Sequence, residues 1–269
     1  MILHHIQRAH NPDMIDCRQP WRFQGVTVGS FHPDLVDLAT LHLGDELDAS
    51  NLDEVLALCE SIRARVDLWM DEPFGFYLPG QTQPIGSVPR GSVSHLGIRA
   101  YGVHANGYTY RDGQLYMWVA KRALDKPTFP GLWDNMVGGG LTAGHTPDEV
   151  LEKETLEEAG LSLDQARNVQ YQGTLNYQHA HASGIRNDYL YVYDIELPPD
   201  VEPIPNDGEV DCFECWPIEK VLDVVDSTED FKYNCNLVIA EFLLRHKALE
   251  DHPEFSEIQT ALNERFQAA

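Results

Sequence analysis

The alternation of apolar and polar positions changes character near residue 95. Before it, residues 32–42 (HPDLVDLATLH) and 51–70 (NLDEVLALCESIRARVDLWM) have helical spacing. Leu52, Val55, Cys59, Ile62, Val66 and Trp69 mark one apolar stripe in the second. The stretch 73–92, PFGFYLPGQTQPIGSVPRGS, holds four prolines and four glycines, so it reads as a connection without regular structure. Beyond it, residues 98–109 and 114–122 read as strands around a polar turn at Arg111-Asp112-Gly113, with Leu115, Met117 and Val119 alternating. Further strands are expected at 169–177, 188–197 and 210–216, and helices at 217–226, 235–247 and 254–267. In the last, Phe255, Ile258, Leu262 and Phe266 form an apolar ridge. The pattern predicts an accessory domain over 1–95, helical in part, and an α/β domain over 96–269. A lid, a dimerisation element and a packing extension are all open for the first part.

Residues 138–161, GGGLTAGHTPDEVLEKETLEEAGL, run from a glycine-rich loop into a capped helix. Thr146 suits the N-cap, Pro147 the first helical position and Glu149 a T-x-x-E capping box, while Gly160 suits a left-handed C-terminal residue. Val150, Leu151 and Thr155 offer a modest buried stripe. Glu154, Glu157 and Glu158 stand at i, i+3 and i+4, which brings their side chains together on one helix surface. Like charges at that spacing repel, so an ordinary surface helix gains nothing from them. A hard divalent cation reverses the argument, because Mg²⁺ binds through a few carboxylates together with substrate phosphates. A solvated acidic face is the plain alternative, and the glycine loop immediately before the helix weakens it.

This segment resembles the Nudix box, G-x5-E-x7-R-E-U-x-E-E-x-G-U, where U is a bulky aliphatic residue. Gly139 matches its opening glycine, and Glu154, Glu157, Glu158, Gly160 and Leu161 fall on their expected positions. His145, Lys153 and Thr155 depart from it, standing at the first glutamate, the arginine and an aliphatic position. Lysine offers a point charge where arginine offers a planar fork, so Lys153 would orient the glutamates less rigidly. Four further stretches, YGVHANGY (101–108), LWDNMVGGG (132–140), NDGEV (206–210) and FKYNCNLVIAEFLLRH (231–246), resemble one Nudix subgroup. Its members carry an extra N-terminal domain and are related to a segment fused to thiamine pyrophosphokinase in fungi.

The resemblance implies an α/β/α sandwich with a mixed sheet, and Mg²⁺ or Mn²⁺ as cofactor. The metal would sit on Glu154, Glu157 and Glu158 with help from the backbone carbonyl of Gly138. It also implies hydrolysis of thiamine diphosphate analogues, the oxy- and oxo- forms above all. Glu158, or Glu209 in the NDGEV stretch, would accept the proton of the attacking water, and Glu157 and Lys153 would complete the catalytic set, with Lys153 orienting the glutamates. Aromatic and amide side chains suit a heteroaromatic substrate. Trp118, Trp133, Tyr177 and Tyr189 are candidates to stack on it, and Asn135, Asn176 and Gln178 to hydrogen-bond it. His179 and His181 are candidates to touch phosphate.

Composition narrows the field. A formal charge of −24 argues against binding a nucleic-acid backbone, which needs a basic footprint. The five cysteines form no disulfide framework, and Cys212 with Cys215 is a lone C-x-x-C without the further ligands of a structural zinc. No signal peptide or membrane-length apolar segment is visible, so a cytoplasmic protein with a small-molecule diphosphate substrate is expected, as a monomer or homodimer. Three other functions stay open: a diphosphatase for another nucleoside diphosphate derivative, a binding module that lost turnover, and isopentenyl diphosphate isomerisation. The last requires a dedicated cysteine in a strand motif, where neither Cys212 nor Cys235 sits.

Overall fold

The computed structural model describes residues 1–10, 18–181 and 184–269. The chain opens with helix α1 (Ile2–Arg8), the hairpin β1 (Gln19–Phe23) and β2 (Val26–Phe31), helix α2 (Pro33–Leu43), the short β3 (Asp48–Ala49) and helix α3 (Leu52–Arg63). A second hairpin, β4 (Pro73–Phe76) with β5 (Gly86–Pro89), leads into helix α4 (Arg90–Leu96). Long strands β6 (Arg99–Arg111) and β7 (Gln114–Arg122) follow, then the short β8 (Trp133–Asp134) and β9 (Val137–Gly140), and helix α5 (Pro147–Ala159). The chain ends with β10 (Asn168–His181), β11 (Gly184–Glu196), β12 (Val210–Pro217), α6 (Ile218–Ser227), α7 (Tyr233–Arg245), α8 (Phe255–Asn263) and β13 (Phe266–Ala268).

The principal sheet is mixed, as expected. Its order is β12-β7-β6-β11-β10-β13, with β9 paired to β6 and β8 to β7. Only the β6–β11 contact on this path is parallel. Alternation along each strand then fixes the two faces. Val103 and Ala105 of β6, Trp118 of β7 and Tyr193 and Ile195 of β11 pack with Val150, Leu151 and Ala159 of α5. Tyr108, Met117 and Val119 point the other way, into a layer formed by α6, α7 and α8. Helix α1 joins that second layer, because Ile2 and Ile6 lie one turn apart and are fully buried there. A helix–sheet–helix sandwich results.

Residues 21–100 enclose a separate apolar cluster around Trp21, Phe31, Leu58, Ile62 and Phe76. Trp21 stacks between Phe31 and Phe76, with ring centroids 5.5 and 6.0 Å away, and its indole N–H donates to the Leu96 carbonyl at 2.8 Å. Truncating Leu58 or Ile62, both fully buried, to alanine would cost about 2–5 kcal/mol.

The stretch expected to lack regular structure contains a hairpin and a helix. Pro73 and Pro89 face each other at its terminal pair, where a missing N–H costs no interior ladder bond. Two helices are shorter than the spacing predicts. Helix α3 ends at Arg63, and Val66 and Trp69 reach the same cluster from irregular chain. Helix α8 ends at Asn263, and Phe266 enters β13 opposite Leu175 of β10. The apolar ridge there belonged to two elements, each packing inward.

Candidate active site

Helix α5 carries the glutamates on a backbone held at both ends. The Thr146 hydroxyl accepts from the Glu149 N–H at 3.3 Å, and Glu149 accepts from the Thr146 N–H at 2.8 Å, completing the capping box. Gly160 closes the helix in the left-handed region at φ 63°. Thr155, at the aliphatic position, is buried and returns its hydroxyl to the Leu151 carbonyl at 2.6 Å. The glycine loop continues as β9 along β6, with Gly139 opposite Val103 and Gly138 opposite His104. A Cβ on Gly139 would lie 2.5 Å from the Glu154 side chain, so glycine lets helix and strand approach at this point.

The three glutamates occupy different environments. Glu158 is buried, and its Oε2 accepts the Gly138 N–H at 2.9 Å. Glu154 is mostly covered, whereas Glu157 is half exposed. Lys153 spans them, 3.1 Å from Glu154 Oε1 and 2.8 Å from Glu157 Oε2, and those bonds, to Glu157 first, raise the lysine pKa. Burial raises the pKa of Glu158 well above the carboxylate range. The Gly138 N–H opposes that, and the charges of Asp134, Glu154 and Glu209 add to it. Burial also raises Glu154, against the pull of Lys153 and with the push of Glu157 and Glu209. The box is thus an acidic cluster with one lysine, and its most enclosed carboxyl has no cation against it among the described residues.

Glu209 comes from the 197–209 connection and lines the same narrow cleft as Gly138, Glu158, Asp134, Asn135 and Arg122. Lys126 forms an ion pair with it, and the Glu209 carbonyl accepts from the Ala123 N–H at 3.0 Å. Asp207 accepts the Glu209 N–H at 2.8 Å. The cleft's other wall is neutralised. Asp134 pairs with Arg122 at 2.8 Å and Lys232 at 3.3 Å, and Cys235 Sγ donates to it at 2.7 Å. Burial pushes the Asp134 carboxyl up, but Lys232, then His104 and Arg122, outweigh it and hold it below the usual range. His104, with its pKa pushed down to about 4 by burial, bonds the Asn135 side chain at 2.8 Å.

His104, Asp134 and Cys235 place one ligand-type atom each within 4.8 Å of one another. Two cations already on Asp134 oppose a further one. The box carboxylates, oxygen donors with little compensation, suit a hard divalent ion better.

The family model described as the NUDIX domain matches residues 100–235 of the 269. The chain belongs to the Nudix family. It is 43% and 42% identical, over 160 residues each, to Nudix hydrolase 20 and Nudix hydrolase 24 of Arabidopsis thaliana, both named as chloroplastic. Each match covers 60% of this chain, and the chain spans 43% and 44% of the length of those relatives. An isopentenyl-diphosphate Delta-isomerase of Corynebacterium glutamicum is 29% identical over 159 residues, covering 54% of this chain and 77% of that protein. Among the described residues no helix is long and apolar enough to cross a membrane.

Apart from Asn135, which lines the cleft, the remaining candidates of this Nudix protein lie away from it. Asn135 is buried, with its amide donating to Asn106 at 2.8 Å and its oxygen held by His104. Trp133 packs edge-on against Trp216 at 4.7 Å, under Lys121. Trp118 is buried in the α5-side core, and Tyr177 is buried with its hydroxyl on Asp188 at 2.5 Å. Asn176 donates to the Arg265 carbonyl at 3.2 Å. His179 stacks on Tyr233 at 4.4 Å and bonds the Arg8 carbonyl at 3.2 Å, and the side chain of His181 lies outside the described residues. Gln178 and Tyr189 line a different cavity, between the sheet and residues 20–97. Cys212 and Cys215 lie on β12 as free thiols, and Cys17 lies outside the described residues.

Sequence reading missed Arg122, Asp134 and Lys232 because they are distant in the chain, and no local spacing links them. It also missed the contact of the N-terminal part with the box. Phe74 presses on Gly140, the Ala143 N–H donates to the Pro73 carbonyl at 2.8 Å, and Thr142 donates to Glu72 at 2.6 Å.

Proposed function

We propose that this protein is a divalent-metal-dependent diphosphatase acting on thiamine diphosphate analogues, the oxy- and oxo- forms, to give the monophosphate and inorganic phosphate. One observation supports the chemistry most: a buried Glu158 of raised pKa on the Gly138 N–H, with Glu154 and Glu157 on the same helix surface and Glu209 in the same cleft. Glu154, Glu157 and Glu158, with the Gly138 carbonyl, would hold Mg²⁺ or Mn²⁺. Bound there, the ion supplies neutralisation of the diphosphate charge and of the carboxylates' mutual repulsion.

The chain's own groups do the rest. Water attacks one phosphorus in line, the bridging P–O bond breaks, and the leaving phosphate takes the electron pair. Glu158 or Glu209 accepts the proton of the attacking water. Glu209, held by Lys126 and the Asp207 turn, stands ready at the cleft. Lys153 aligns Glu154 and Glu157. Domain 1–95 shapes the pocket, as the Phe74 and Pro73 contacts with the box suggest.

The similarity to an isomerase motivates a second reading, isomerisation of isopentenyl diphosphate. No cysteine lines the cleft among the described residues, and Cys235 is buried with its thiol committed to Asp134. Hydrolysis is therefore favoured. The test is product analysis with Mg²⁺ on thiamine, oxythiamine and oxothiamine diphosphates, ADP-ribose, coenzyme A and isopentenyl diphosphate. Phosphate release fastest from the oxy- or oxo- forms supports the proposal. Faster turnover of ADP-ribose or coenzyme A removes the substrate assignment, and isomerised product removes the reaction.

A further inference from the structure

We infer that the cavity between the N-terminal part and the sheet seats the ring end of the substrate, and that Arg99 in its wall selects a neutral, carbonyl-bearing ring over a cationic one. The inference rests on the diphosphatase reading for the other end of the ligand. The cavity holds about 350 Å³, within the range of small-molecule sites. Val28 and Tyr77 line it from one side, and Arg99, Gln178, Asn187 and Tyr189 from the other. This wall combines aromatic faces, one amide pair and one guanidinium. Gln178 Nε2 donates to Asn187 Oδ1 at 3.2 Å, which fixes both amides at the surface of the cavity.

Charge makes Arg99 informative. The chain carries 43 acidic residues against 19 lysines and arginines, yet among the described residues no acidic side chain lines this cavity. Arg99 has no carboxylate in ion-pair range among the described residues. Its Nη1 donates to the Tyr101 hydroxyl at 3.1 Å, and its guanidinium lies 4.9 Å from the centre of the Tyr189 ring. A stacked, preoriented guanidinium with spare N–H groups suits an acceptor oxygen on a planar ring. It repels a ring of positive charge. Thiamine and oxythiamine both carry a permanently cationic thiazolium, whereas the oxo form is neutral and bears a carbonyl there, so Arg99 favours the oxo form of the two proposed substrates.

Placement connects the cavity with the box. Arg99, Tyr101 and Val103 share one face of β6, and Val103 is opposite Gly139, the glycine beneath Glu154. Four residue steps of strand separate Arg99 from Val103, about 13 Å at a strand's rise. A ring joined through a short linker to a diphosphate can span such a gap. The N-terminal part touches both ends, since Phe74 presses on Gly140 and Tyr77 meets the Tyr101 ring at 4.7 Å.

The test uses unphosphorylated oxothiamine and thiamine, titrated calorimetrically into the full chain without metal. Ring binding is then read independently of hydrolysis. The parent should bind oxothiamine at least ~10-fold more tightly than thiamine, a margin a hydrogen-bonding site can supply. Arg99→Met should erase that preference, Arg99→Lys should keep it in part, and Tyr189→Leu should weaken both ligands. The Glu157→Gln, Glu158→Gln double variant should bind the rings like the parent. Equal affinity of the parent for the two rings, no binding of either, or a preference that survives Arg99→Met overturns the inference. If ring preference follows Arg99 but no diphosphate is hydrolysed, the cavity assignment stands and the diphosphatase reading falls.

Discussion

Two buried carboxyl groups on opposite walls of one cleft have opposite fates. Asp134 is held below the usual carboxylate range by Lys232, His104 and Arg122, against the effect of its burial. Glu158 is raised well above that range by burial, against the opposing Gly138 N–H. Both are less than a tenth exposed. Asp134 therefore belongs to a finished electrostatic network, which needs no ligand to be stable. Glu158 belongs to an unfinished one, where burial favours the neutral acid and a cation would be needed to hold it ionised. Perturbed titration together with missing compensation marks a functional acid more clearly than burial does.

The sharpest way to break this comparison is to remove Asp134. Asp134→Ala leaves Arg122 and Lys232 largely buried without their carboxylate, and should cost about 3–5 kcal/mol in denaturant unfolding. A loss below 1 kcal/mol would mean the network carries no net stabilisation. The counterpart on the other wall should spare the fold and abolish the chemistry. Glu157→Gln with Glu158→Gln should lower kcat at least ~100-fold on the best diphosphate of the panel, because each change removes a ligand or base from the transition-state assembly. Turnover within tenfold of the parent would displace the reaction from α5.

A smaller effect concerns stability and pH. Because the folded pKa of Glu158 lies above its unfolded value, its neutral form is favoured by folding. Its contribution is present at low pH and is lost as pH rises through the folded value. In chelator at neutral pH, Glu158→Gln should raise Tm by at least ~2 °C, since the amide oxygen can still accept from Gly138 without the charge. The gain should shrink toward pH 4. An unchanged or lower Tm at neutral pH would show that the Glu158 charge is already compensated. The smallest effect is at Lys153. Lys153→Ala should slow turnover about threefold, the scale of a partly exposed ion pair, and Lys153→Arg should restore or exceed the parent rate. Parent-like behaviour of Lys153→Ala in both turnover and metal titration would reduce the residue to ordinary surface charge.

Much of one wall was legible in the sequence, and little of the other. The box helix, its two caps and its glutamates follow from short-range rules, and Thr146, Glu149 and Gly160 sit where those rules place them. The long strands of the sheet follow from alternation, as Met117 and Val119 show against Trp118. Lys232 reaches Asp134 across 98 residues of chain and Arg122 reaches it across 12, and only the tertiary fold makes the three neighbours. The β4–β5 hairpin was hidden for another reason. Proline and glycine there signal a break, but the prolines occupy terminal strand positions and Gly75 accommodates the Tyr77 ring. Gln178 and Tyr189 carry no local mark of the cavity they line, since its other wall comes from residues 20–97.

The carboxylate wall of α5, and not the neutralised one, is expected to take the metal. Mn²⁺ binding, followed by electron paramagnetic resonance at neutral pH, tests it directly on the parent, the Glu157→Gln, Glu158→Gln variant and Cys235→Ser. The predicted result is saturable binding in the parent, its loss in the double variant and its retention in Cys235→Ser. Binding that survives the double variant and disappears with Cys235→Ser would place the metal on His104, Asp134 and Cys235 instead of on α5.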